Sequence, residues 1–254
     1  MDRGKVRFVL HRPQSAENIG AAARAMKNFG LERLSVVAPP SWSGTPRTEG
    51  AGSAGEDVMA RARRMARRAS DVLDAVTVHA DLAGALGTAT WTCGTTSRPL
   101  PGRPRLHPRE LAAEVARRSA AGEVAVVFGE ERRGLSDAEL GLCQAACTIP
   151  TAPAYDSMNL AQAVAVVAWE IAGAPQAIPA EPSPEPARHA TVEALWERLS
   201  ALLAATGFTN PQNPDHILAD LRRLLARADP SQREVELLVA AIRSVERVLR
   251  SSGP

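Results

Sequence analysis

The run Val124-Ala125-Val126-Val127-Phe128 constrains the fold more than any other stretch of the chain. Five consecutive apolar residues without polar alternation do not suit a strand with one wet face. Such a strand is covered on both sides, as in a parallel sheet held between helices. The neighbouring patterns agree. Val6-Arg7-Phe8-Val9-Leu10 and Leu34-Ser35-Val36-Val37-Ala38 read as strands, the second stopped by Pro39-Pro40. Further strands are expected near Val76-Thr77-Val78, over Thr88 to Thr92, and over Ala146-Cys147-Thr148-Ile149. Ile19, Ala22, Ala23 and Met26 recur at helical spacing in 17–29, and helices are also expected around 57–70 and over 157–171. Strands alternating with helices predict an α/β fold with a mostly parallel sheet.

Residues 173–190 interrupt this pattern with five prolines and few large apolar side chains. They read as a linker that favours an extended conformation. It separates a domain over 1–172 from a tail over 191–254. The tail carries three helical stripes: Val192, Leu195, Trp196, Leu199, Leu202 and Leu203; then Ile217, Leu218, Leu221, Leu224 and Leu225; then Val235, Leu238, Ile242, Val245 and Leu249. Gly207 and the prolines of 211–214 break the chain between the first two, and Ser231 with Glu234 forms a capping-box signature for the third. A small all-α unit is expected.

Composition mainly excludes. No apolar run reaches the ~18 residues of a membrane span. Met1 to Lys5 is polar and lacks the apolar stretch of a signal peptide. Cys93, Cys143 and Cys147 are odd in number and match no zinc or redox spacing. Cys143 and Cys147, four apart, fit one helical face or simply small buried side chains. A reducing cytoplasm fits best. The five histidines are scattered without ligand spacing, so no metal site is expected. Net charge is only +2, and the tail balances eight arginines against eight acids, so any nucleic-acid contact must come from local patches. The densest patch is Arg61, Arg63, Arg64, Arg67 and Arg68, which either tracks phosphates or forms a solvated helix face paired with acids.

Three loops follow strands, where ligands gather in open α/β sheets. The first runs from Arg12 to Gly20 into a helix that carries Arg24. The second is Phe128-Gly129-Glu130-Glu131-Arg132-Arg133-Gly134-Leu135. The third is Ile149-Pro150 followed by Tyr155-Asp156-Ser157-Met158-Asn159-Leu160. Each also has a plain structural reading. Gly129 and Gly134 can bracket a turn, Ser157 and Asn159 can be an N-cap pair, and Arg24 can point to solvent. No G-x-G-x-x-G follows the first strand and no P-loop is present, which argues against a standard dinucleotide or nucleotide-triphosphate fold.

Together and in order, the three loops resemble the three motifs of the SpoU branch of the SPOUT RNA 2′-O-ribose methyltransferases. The carrying residues are NIGAAARAMKNFG at 18–30, the FGxExxGL pattern from Phe128 to Leu135, and SxNL from Ser157 to Leu160 after an Ile-Pro strand end. Ala205-Thr206-Gly207-Phe208 and the run Leu221 to Ala228 resemble the tail of the bacterial tRNA ribose-32 methyltransferases. The resemblance implies a deep C-terminal trefoil knot in the sheet domain, S-adenosylmethionine as cofactor, and methyl transfer to an RNA ribose 2′-hydroxyl. The implied substrate is tRNA at anticodon-loop position 32, with ribosomal RNA or a small nucleoside-like molecule as alternatives.

Carried over residue by residue, the cofactor contacts fall on Thr95, Thr96, Ser97, Gly129, Ile149, Asp156, Ser157 and Met158. The catalytic set is Arg24, Asn18, Glu131, Ser157 and Asn159. A guanidinium stays protonated in proteins, so Arg24 is expected to clamp a phosphate and steady a developing alkoxide rather than act as base. Glu131 is expected to orient Arg24 or Asn18, and Ser157 and Asn159 to shape the pocket. Gly129 is expected to let backbone approach the adenosine. The resemblance also implies a homodimer, and Leu160, Val164, Val167 and Ala168 suggest more apolar surface on the 157–171 helix than one sheet face needs.

Overall fold

A computed structural model describes residues 1–38, 58–98, 105–155, 157–174, 184–209 and 214–251. Seven parallel strands form one sheet: β1 (Val6–His11), β2 (Arg33–Val37), β3 (Thr77–His79), β4 (Trp91–Thr95), β5 (Arg105–Leu106), β6 (Val124–Phe128) and β7 (Ala145–Cys147). Their spatial order is β3-β2-β1-β6-β4-β7-β5. The α/β expectation holds, and β6 lies at the centre with all five residues buried. It pairs Phe8 with Val126 on one side and Cys93 with Val126 on the other.

One face of the sheet carries α1 (Ala16–Asn28), α2 (Val58–Ala66), α3 (Ser70–Asp74), α5 (Pro108–Arg118) and α7 (Leu160–Gly173). Phe8, Leu10, Ile19, Met26, Leu111, Val126, Phe128, Val164 and Ile171 meet there in a single core. The opposite face is thinner. It is covered by the short α4 (Leu82–Leu86) and α6 (Asp137–Gly141), with Val9, Val37, Leu86, Val127 and Leu140 between them. The tail supplies α8 (His189–Ala205), α9 (Pro214–Ala228) and α10 (Gln232–Ser251). Its first helix docks on the thin face, where His189 N–H donates to Ala89 O at 2.7 Å and Ala190 N–H to Gly87 O at 3.2 Å.

One charged residue of the first strand, Arg7, lies buried for a structural reason. Arg7 on β1 reaches Glu123 at 2.6 Å, and Arg33 reaches the other oxygen of that carboxylate at 2.6 Å. Glu123 thus ties β1 and β2 to the start of β6.

Several local expectations need correction. The strand expected over 88–92 starts at Trp91, because Thr90 and Trp91 both donate backbone N–H groups to Glu123 O as the chain turns into β4. The helix expected around 57–70 is broken: Arg67 takes φ of 56°, and a 3-10 turn over Arg67–Ala69 separates α2 from α3. The helix expected from 157 starts at Leu160, since Asn159 is its cap. The helix expected after the linker starts at His189, where Ala187 and His189 are already buried. Cys143 follows α6 while Cys147 is on β7, so they share no helical face; all three cysteines are buried and outside any disulfide. The helix α5 was not anticipated, although Pro108 at its start and Glu110 accepting the His107 N–H at 2.7 Å form a readable N-terminus. Leu160, Val164, Val167 and Ala168 are all buried in the chain's own core, so they leave no apolar surplus on α7. Trp169 on that helix is the exposed one, at 58%.

Candidate active site

The C-terminal ends of β4, β6 and β7 open onto one cleft. Thr95, Thr96, Ser97, Gly129, Glu131, Ile149, Ser157 and Met158 all line it, together with Arg98 and Leu160. Its volume of about 340 Å³ falls in the range of small-molecule pockets. Seven of the eight expected cofactor residues are therefore brought together. The eighth, Asp156, lies outside the described residues.

The loops are fixed by a short relay of side chains. Asn159 uses Oδ1 to accept the N–H groups of Ala161 at 2.9 Å and Gln162 at 3.3 Å, capping α7. That leaves its Nδ2 as donor, and it donates to Asn18 Oδ1 at 3.0 Å. Asn18 must then donate through its own Nδ2, which it does to Glu131 Oε1 at 2.9 Å. Glu131 also accepts the Gln14 N–H at 2.9 Å and the Ser15 N–H at 3.2 Å. One carboxylate and two amides thus tie the first, second and third loops to each other. Of the two side chains expected against Glu131, Asn18 is the one that bonds to it.

Ser15 caps α1 by accepting the Asn18 N–H at 3.2 Å, and its hydroxyl donates to Glu17 at 2.8 Å. The second loop is a tight turn in which Gly134 N–H donates to Glu130 O at 2.9 Å, with Gly134 at φ of 66°. A Cβ on Gly129 would lie 2.2 Å from Gly134 C and 2.4 Å from Leu135 N. The glycine is therefore demanded by the loop's own backbone, a different reason from the ligand approach expected of it. On β4, the Thr95 hydroxyl donates to Val127 O at 3.1 Å and the Thr96 N–H to Cys147 O at 2.9 Å. Sequence reasoning missed Arg98. Its guanidinium donates to Leu135 O at 2.6 Å and pairs with Asp137 at 3.1 Å, pinning the second loop to the end of β4. Its place directly after Thr95-Thr96-Ser97 was the available signal.

Arg24 stands apart. It is exposed on α1 and lines a separate hollow with Asn28, Arg67 and Arg68. Within one chain it is not brought to the cleft. Among the described residues no cluster of histidine, cysteine and carboxylate side chains could hold a metal ion. None of the described helices is long and apolar enough to cross a membrane.

The arrangement is an open polar cleft with an apolar lining from Ile149, Met158 and Leu160; of the relay, Glu131 lines it, and Asn18 and Asn159 do not. Residues 5–169 match the model of the SpoU rRNA methylase family. Residues 190–253 match the model of the C-terminal domain of the tRNA methyltransferase TrmJ. The chain is 35% identical to a tRNA (cytidine/uridine/adenosine-2′-O-)-methyltransferase TrmJ of Pseudomonas aeruginosa, with 97% of this chain and 95% of the relative covered. It is also 35% identical to a tRNA (cytidine/uridine-2′-O-)-methyltransferase TrmJ of Pectobacterium atrosepticum, over 95% of this chain and 97% of the relative. The crystal structure of TrmJ from Z. mobilis superposes with a TM-score of 0.80 at 30% identity, covering 94% of this chain and 98% of that one.

Proposed function

The chain belongs to the SpoU methylase family, which moves a methyl group from S-adenosylmethionine to an RNA ribose 2′-hydroxyl, and on that premise we propose that its substrate is tRNA, at the ribose of anticodon-loop position 32. The relay Glu131–Asn18–Asn159 carries the reading, because it ties the three family loops together and Glu131 itself lines the cleft. The substrate class is supported by the tRNA 2′-O-methyltransferases that match along nearly the whole chain, tail included. The same reading divides the chain into a catalytic domain over 1–172 with a trefoil knot, a linker over 173–190 and a helical domain over 191–254. The insertion of β7 between β4 and β5 is in keeping with a threaded C-terminal segment. Buried cysteines outside any disulfide fit a cytoplasmic setting.

The cleft suits the cofactor. Ile149, Met158 and Leu160 give an apolar wall for a purine ring, and the strand-end backbone at 95–97 and 129 offers hydrogen bonds to its edge. S-adenosylmethionine supplies a methyl group on a sulfonium, which is already a good leaving centre. The protein's task is then to orient the ribose and manage charge on its 2′-oxygen. Ser157 and Glu131 line the side of the cleft where the ribose sits, and Glu131 holds Asn18, and through it Asn159, in one amide orientation. Arg24 clamps the neighbouring phosphate and steadies the oxygen as its proton leaves.

Because Arg24 lies outside the cleft of its own chain, we place it at the cleft of a second copy in a symmetric homodimer. The exposed Trp169 and Met65 offer apolar surface for that contact. The test is methyl transfer from labelled S-adenosylmethionine to a tRNA transcript, with the modified nucleotide identified by mass spectrometry in both tRNA and rRNA. Arg24→Ala should lower turnover ~10²–10³-fold with cofactor affinity intact. Mixing it with the cofactor-dead Gly129→Val should restore part of the activity, since each hybrid dimer keeps one complete site. No recovery on mixing would remove the shared site, and methylation confined to rRNA would replace the substrate.

A further inference from the structure

The five arginines between positions 61 and 68 look alike in sequence, and the fold sorts them into two groups. Arg61 donates Nε and Nη2 to the Glu17 carboxylate at 2.9 and 3.0 Å. Glu17 is held down to about 2 by the Ser15 hydroxyl, its own backbone N–H and Arg61. Arg63 donates to Asp74 at 2.8 Å, and Arg64 is also engaged. Nearby, Lys27 is taken by Asp71 at 2.5 and 2.6 Å. Arg67 and Arg68 are exposed and have no side-chain hydrogen bond or ion pair among the described residues, and the same is true of Arg24.

These three guanidiniums meet at one place. Arg24, Asn28, Arg67 and Arg68 line a hollow between α1 and the turn that follows α2. No carboxylate lines the hollow among the described residues, and Asp71 is already paired with Lys27. The backbone is bent to bring them there: Arg67 holds φ of 56°, in the left-handed region that disfavours any residue with a Cβ. Such strain on a non-glycine residue points toward function. Like charges gathered without a counter-charge repel one another, and a bound anion relieves that repulsion. The planar guanidinium fork matches phosphate oxygens in particular.

We propose that Arg67 and Arg68, against Arg24, form a phosphate cradle for the sugar–phosphate backbone of the RNA, a contact that rests on the RNA-methylation reading above. The hollow recognises charge and spacing rather than base identity. Arg24 belongs to this hollow and, on the reading above, reaches the cleft of the second copy, so RNA held in the cradle runs on to the target ribose in that copy's cleft. The paired arginines, Arg61 and Arg63, take no part and serve to hold α2 against α1 and α3.

The experiment measures affinity of the full-length protein for a fluorescent tRNA transcript between 50 and 200 mM salt. The main variant is Arg67→Gly with Arg68→Ala, since glycine accepts φ of 56° without strain. Each lost phosphate contact should lower the slope of log affinity against log salt by about 0.7–0.9. The double variant should therefore lose about 1.4–1.8 in slope and bind tRNA about tenfold more weakly at the low-salt end. KM for tRNA should rise with kcat within about twofold, the pattern of lost uniform binding, and S-adenosylmethionine affinity should stay unchanged. Arg68→Ala alone should give about half the slope change, and Arg63→Ala should give none. A double variant with wild-type salt slope and wild-type KM overturns the cradle while leaving the methylation reading intact. A wild-type protein that neither binds nor methylates RNA overturns both.

Discussion

The catalytic region and the helical tail carry similar amphipathic patterns, yet the two bury them very differently. In residues 1–174 the strands and the inward faces of α1, α5 and α7 are sealed around β6, and Phe8, Leu10, Ile19, Val126 and Ile171 are at most 1% exposed. Among the described residues of the tail, only Ala187, Leu195, Val235 and Ile242 anchor a small cluster. Leu224, Leu237 and Val248 stay 58–60% exposed, and α9 fully buries none of its described side chains. A helical stripe in sequence therefore announces a face, while the depth of its burial depends on what the fold sets against it. The tail is joined to the thin face of the sheet by hydrogen bonds from His189, Ala190 and Arg222. Arg222 joins Glu193 in a two-pronged pair at 2.5 and 2.6 Å, donates to Gly141 O at 3.1 Å, and lies 5.3 Å from the Trp196 ring centroid.

If that contrast is right, the largest stability effects belong to the sheet region. A Cβ on Gly20 would sit 2.0 Å from Ala62 O, where α1 and α2 touch backbone to backbone. Gly20→Ala should cost about 3 kcal/mol of sheet-domain stability, the upper part of the usual overpacking range. Guanidinium unfolding followed by Trp fluorescence would read it. A cost under about 1 kcal/mol would mean the two helices yield as easily as tail helices do.

A smaller effect is expected at the junction. Arg222→Ala removes hydrogen bonds to a carboxylate and a backbone oxygen, worth about 2 kcal/mol together. Hydrogen exchange should quicken in α8, α9 and α10 while the amides of β1 and β6 keep their protection. Equal loosening of both regions would show that they unfold as one unit and erase the distinction.

The smallest effect is on pH. Burial lowers the His189 pKa, with Glu193 opposing and Arg222 adding to the shift. Its folded value thus lies below the unfolded value of about 6.5. The unfolded state then binds more protons as pH falls, so the stability this residue contributes is present above about 6.5 and is lost as pH drops toward the folded value. Between pH 7.5 and 5.5 the tail should loosen by about 1 kcal/mol or less. His189→Leu should flatten that part of the pH profile, and an unchanged profile would place the pH response elsewhere.

The sequence made the sheet and the cleft legible for identifiable reasons. The apolar run 124–128 and the strand at 6–10 are continuous because both faces are covered, and a continuous run survives any choice of partner. The cleft residues were legible through ordered loops that resemble a family. The relay itself was not, because Asn18, Glu131 and Asn159 are far apart in the chain and only the fold shows who donates to whom. The short α4, α6 and β5 left too few residues for a period to show. The break at Arg67 was hidden because nothing in a run of arginines and alanines signals a positive φ. The isolation of Arg24 from the cleft could not be read from the helix at 17–29 either, since periodicity gives a face and not its neighbour.

The central strand also sets an order of events during synthesis. β6 lies between β1 and β4, pairing Val6 with Val124 and Trp91 with the same residue. Both neighbours leave the ribosome before it does. At ~5–20 residues per second, β1 waits roughly 6–24 s for its partner. During that interval β1 can pair with β2 on one edge only, and the inner edges of β1 and β4 stand open to each other or to another chain. Retarding translation between codons 12 and 120 should therefore raise the share of aggregated product more than the same delay placed after codon 130.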